Sequence, residues 1–164
     1  MKTKLIISTL LVTLTFLVNA KEKDPGKAVI GNLKATFVYA TNTAEDPAKA
    51  TLLSDKLLAE VNQKKLNFAH YYTVGSDMQK IYKCYPNWLK PFKGSDKIMI
   101  CYEVKKPCQE GAEVEIEFWR EKQKVFSTTA INITCKKPLI ITGPKWRDGK
   151  IIMIFELIHD AHKY

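Results

Sequence analysis

The sequence has no Cys-x-x-Cys pair, no Gly-x-Ser-x-Gly elbow, no glycine-rich phosphate loop and no His-Glu-x-x-His motif. Those absences remove the motif-borne routes to dithiol redox, acyl-transfer, nucleotide and zinc-protease chemistry. Arginine is scarce. Of 26 basic residues only Arg120 and Arg147 are arginines, against 17 acidic residues and a net charge of +9. Bidentate reading of phosphate or guanine favours arginine, so a lysine-dominated excess does not point to nucleic acid. Seven glycines and seven prolines are too few for a fibrous or low-complexity chain, and 46% apolar residues argue against disorder. After the first twenty residues no apolar run is long enough to span a bilayer. A chain of 164 residues suits one domain.

The N-terminus reads as an export signal. Lys2 and Lys4 precede an apolar run over 5–18, and Val18, Asn19 and Ala20 put small residues where a signal peptidase cuts. The expected organisation is a signal peptide over 1–20, a flexible lead-in over 21–32, one domain over 33–158 and a polar tail over 159–164. Lys2 and Lys4 leave with the signal, which lowers the net charge of +9 by two. Export, to a periplasm or to the outside, would place Cys84, Cys101, Cys108 and Cys135 where disulfides persist.

One segment carries helical spacing. Asp46 can cap and Pro47 fits a first helical position, and Ala50, Leu53, Leu57 and Val61 then recur on one face. Lys64 and Lys65 sit where the helix dipole favours cations, so a helix is expected over 47–65. Strands are expected over 33–40, 68–74, 78–85, 97–104 and 150–158, the last one central. Gly75, Ser76 and Asp77 read as a turn, and 86–96 reads as a loop.

The segment 112–135 reads as a hairpin. Val114, Ile116 and Phe118 alternate with Glu113, Glu115 and Glu117, which gives one buried and one wet face. A turn centred on Glu121 and Lys122 sets Phe118 opposite Val125, Val114 opposite Thr129 and Ala112 opposite Ile131. The same register sets Cys108 opposite Cys135, close enough for a disulfide, and leaves Cys84 to pair with Cys101. The expected class is therefore α+β: a twisted antiparallel sheet, or small sandwich, packed against one helix.

Candidate functional residues are few. Tyr82, Tyr85, Trp88 and Phe92, interleaved with Lys83, Lys90 and Lys93, form the densest aromatic and basic cluster, and Trp146 beside Arg147 forms a second. Exposed aromatics with nearby cations suit stacking on glycans, peptides or anionic polymers; the alternative is that these rings seal the end of the core. The binding set is Tyr85, Trp88, Lys90, Phe92 and Trp146. The Glu113, Glu115 and Glu117 row could take calcium, but it is also what the wet face of a half-buried sheet needs. His159 and His162 flank Asp160 in the tail, with no further ligand nearby in sequence. No metal site, catalytic residue or cofactor is expected.

The stretches ATFVYATN, LNFAHYYTV and FSTTAINI…KKPLIITGPKWRDGKIIMIFEL, over about 33–157, resemble a loose group of small exported bacterial proteins with no assigned activity. The resemblance implies one α+β domain of a strand, a helix and a run of antiparallel strands. The cystatin-like fold is a topological cousin, but the Gln-x-Val-x-Gly loop of its inhibitory members is missing. The expected function is a non-catalytic exported or envelope binding module that uses the aromatic-basic loop to hold an envelope protein or polymer. The alternatives are an exported hydrolase with an unrecognised site, or an accessory subunit that binds by strand addition.

Overall fold

The computed structural model describes residues 24–44, 51–92, 97–108 and 110–158. The chain runs β1 (Val29–Thr41), β2 (Thr51–Leu52), α1 (Asp55–Asn62), β3 (His70–Tyr82), β4 (Asn87–Leu89) and β5 (Ile98–Cys108). It continues β6 (Gly111–Arg120), β7 (Gln123–Ser127), β8 (Ile131–Thr134), β9 (Leu139–Trp146) and β10 (Gly149–Ile158). The signal segment, the tail with His159 and His162, and Lys93 lie outside the described residues.

The α+β expectation is overturned. Strands take 64% of the described residues and helix 9%, and the strands form two antiparallel sheets. The first sheet has the order β2-β3-β1-β10-β9; the second has the order β4-β5-β6-β7, with β8 also paired to β6. The two sheets meet face to face. Leu33, Ala35 and Phe37 of β1 and Met153 and Phe155 of β10 share one buried cluster with Ile100 and Tyr102 of β5 and Ile116 and Phe118 of β6. Phe37 lies 6.3 Å from Phe118 in a stacked pair and 5.9 Å from Phe92 edge to face. Each strand sends alternate side chains to opposite faces, so each inner face is built by every second residue.

The helix is short, and it covers the outer face of the first sheet. Leu57 and Val61 join Val38, Ala40, Ile152 and Ile154 in a second buried cluster. This makes β1 and β10 buried on both sides, and β10 is central as its unbroken apolar run requires. The expected start near Pro47 is wrong: Thr51 and Leu52 are paired with Thr73 and Tyr72 as a strand, and Ser54 is the N-cap. Residues 45–50 fall outside the description. Lys65 and Asn67 take positive φ, which ends the helical path.

Four further expectations are corrected. Gly75 to Asp77 form no turn but run inside β3, where Gly75 opposes Phe37 at a bulge. A Cβ on Gly75 would run into the Pro91 carbonyl, so the glycine serves close approach rather than reversal. The lead-in is already strand from Val29. In the β6–β7 hairpin, Arg120 opposes Gln123 and Trp119 opposes Lys124, as the Glu121-Lys122 turn demands. A bulge then sets Phe118 opposite Phe126 rather than Val125, and Val114 and Ala112 oppose Ile131 and Ile133 on β8. Cys108 ends β5 opposite Gly111, while Cys135 follows β8 on the other flank of β6. All four cysteines are free thiols, so neither expected disulfide is present.

Candidate functional site

The binding set does not converge on one loop. Phe92 packs into the inter-sheet core against Phe37. Trp146 sits on β9 of the first sheet, edge to face with Tyr39 at 5.2 Å, and the Arg147 guanidinium lies 4.5 Å from its ring centroid. Tyr85 is 41% exposed, and its hydroxyl donates to Asp24 Oδ2 at 2.6 Å. That bond, with the Gly26 N–H on Asp24 Oδ1, holds the Asp24 carboxyl below its usual range and pushes the Tyr85 phenol up. Lys90 is exposed, and its backbone N–H donates to Asp77 Oδ2 at 2.7 Å. Trp88 stands on β4 and is 37% exposed.

Trp88 has a partner that sequence reasoning missed. It lies edge to face with Trp119, centroids 5.7 Å apart and planes at 64°. The register explains the meeting. Trp88 opposes Cys101 on β5, and the next outward residue of β5, Met99, opposes Trp119 on β6. The signal was available: the alternation that buries Phe118 puts Trp119 on the wet face with Glu113, Glu115 and Glu117. A single exposed ring is ordinary, but two adjoining tryptophans make an apolar patch of the kind that marks a binding surface.

The outer face of this second sheet carries a charged network beside the tryptophans. Lys105 Nζ bridges Glu103 at 2.7 Å and Glu115 at 2.9 Å. Glu117 accepts from Lys124 Nζ and from the Trp119 indole N–H, both at 2.9 Å, and these bonds, the lysine first, lower its carboxyl. The same carboxylates raise their lysines. A depression of about 240 Å³ opens among Pro86, Cys101, Tyr102, Glu103, Glu115 and Glu117. Burial, then Glu117, Glu103 and Glu115, push the Cys101 thiol up to about 11, so it stays protonated at neutral pH. Glu115 and Glu117 of the glutamate row, with Glu103 of β5, are thus ion-paired on the sheet surface. Among the described residues no group of three or more His, Cys, Asp or Glu is placed to hold a metal, and no helix is long and apolar enough to cross a membrane.

No family model, curated protein or solved structure matches the chain.

Proposed function

We propose that the chain is an exported, non-catalytic binding module that holds an envelope polymer on the outer face of its second sheet. The observation that carries this reading is the half-exposed Trp88–Trp119 pair on a face whose opposite side already supplies the core. Two indoles held edge to face by β4 and β6 give a rigid apolar step at little entropic cost. The Lys105 and Lys124 pairs beside it offer donors and acceptors already fixed in place, which suits the alternating apolar faces and hydroxyls of a glycan. A protonated Cys101 and lysine-paired glutamates favour recognition over chemistry. Tyr85 and Lys90 flank β4, whereas Phe92 and Trp146 belong to packing.

The test is an NMR titration with soluble peptidoglycan and neutral glucan fragments. The chain has three tryptophans, so Trp146 is an internal control. Shifts in the Trp88 and Trp119 indole signals, with Trp146 unmoved, are the expected result. No indole shift with either fragment would reject the reading.

A further inference from the structure

The first sheet ends in an edge that the tryptophan face does not explain. Among the described residues β9 pairs only with β10, which leaves its outer row of backbone N–H and C=O groups without a ladder. Its side chains are already settled. Leu139 and Ile141 pack on the inter-sheet core and Ile140 on the helix-side cluster. Over Leu139–Ile141 the strand is therefore apolar on both faces and, among the described residues, open along one side, which is the geometry that accepts an added strand.

Its charges specify the partner. At the far end Lys145 lies directly opposite Lys150 across the β9–β10 pair, a like-charge pairing that costs stability. Lys136 and Lys137 precede its first residue. With Lys56 of α1 they line a depression of about 340 Å³ beside the start of β9. Glu60 and Glu156 line it too, but Glu156 is held by Lys34 at 3.3 Å, and Lys136 is shared with Glu110 at 2.7 Å. Lysines at both ends repel a second β9, since a like edge would bring the same charges, and Pro144, at the irregularity near one end, offers no N–H to it. They attract an edge of opposite sign.

We propose that β9 is a docking edge for an extended segment of a partner protein, apolar at alternate residues and carrying carboxylates at both ends. The segment adds to the first sheet beside Leu139–Trp146, with one acidic end near Lys56 and Lys137 and the other near Lys145 and Lys150. This edge is on the other sheet from Trp88, so the proposal stands or falls apart from the polymer reading.

The experiment uses a short blocked peptide of alternating Val and Thr with Asp-Glu at both ends, and a control with Lys-Lys at both ends. Binding is read by fluorescence anisotropy at low and high salt, and the site by amide hydrogen exchange. The acidic peptide is expected to bind, to weaken as salt rises, and to slow exchange within Leu139–Trp146. Lys145→Glu with Lys150→Glu should weaken it by about tenfold, while Trp88→Ala leaves it unchanged. Absence of binding, equal binding of the lysine-flanked control, or binding without protection of β9 would each overturn the proposal.

Discussion

The Tyr39 hydroxyl donates to the Asp148 carboxylate across 109 residues of sequence. The bond ties the end of β1 to the β9–β10 turn, and Thr41 adds a second donor to the same carboxylate at 3.2 Å. Trp146 meets Tyr39 edge to face beside it, and the Arg147 guanidinium lies 5.8 Å from the Tyr39 ring centroid, with Arg147 in a left-handed conformation.

That contact sets an acid response. Hydrogen bonds to Asp148, from Tyr39 first and then Thr43, lower its carboxyl from the ordinary 3.8 to about 2. A depressed carboxyl stabilises the fold above its unfolded pKa and loses that contribution as pH falls through its folded one. Wild-type melting temperature should therefore drop between about pH 4 and pH 2. Asp148→Asn should be less stable at neutral pH and should respond less across the same window.

Gly149 is required by close approach. A Cβ there would meet the Ala40 carbonyl oxygen and lie 2.8 Å from the Tyr39 ring. Gly149→Ala should cost about 1–3 kcal/mol in urea unfolding, with the Tyr39–Asp148 contact strained.

The β6–β7 register separates two neighbours. Phe126 stacks on Phe118 with centroids 5.4 Å apart, whereas Val125 is 44% exposed at the bulge. Phe126→Ala should cost more than about 2 kcal/mol. Val125→Ala should stay within about 0.5 kcal/mol, and equal losses would restore the unbulged register.

The thiols should react unequally. Cys84, Cys108 and Cys135 are exposed, while Cys101 is half-buried among carboxylates with its thiol pushed up to about 11. Maleimide labelling near neutral pH should modify Cys84 and Cys108 quickly, Cys135, whose thiol burial also pushes up, less quickly, and Cys101 slowest. A denatured, unreduced protein that resists labelling altogether would show disulfides instead.

Strong alternation was legible in the sequence. The two-faced pattern of β6 follows from its period of two, and the apolar runs of β1 and β10 read as buried strands from their length and their β-branched and aromatic content. What could not be read was where the chain departs from ideal pairing. Gly75 looks like a turn residue but answers to Pro91, which is sixteen residues on in the fold's other layer. The bulge at Phe118 and Trp119 shifts the register by one residue and the break between β7 and β8 by one more, so the partner of Val114 is Ile131 rather than Thr129, while Cys108 ends β5 opposite Gly111 and so never faces Cys135. Helical spacing alone overextends the short helix, because Leu53 fits it although that residue follows a strand. Of the binding set, Trp88 and Tyr85 were legible as exposed; Phe92 was not distinguishable from them until Phe37 was placed beside it.

The most direct measurement pairs two readings on Trp88→Ala: its melting temperature, and its co-sedimentation with insoluble peptidoglycan and glucan. If Trp88 is a binding residue, the melting temperature stays within about 2–3 °C of wild type and the polymer that wild type retains is lost. A steep fall in melting temperature, or undiminished retention, would make Trp88 a structural residue and contradict the account.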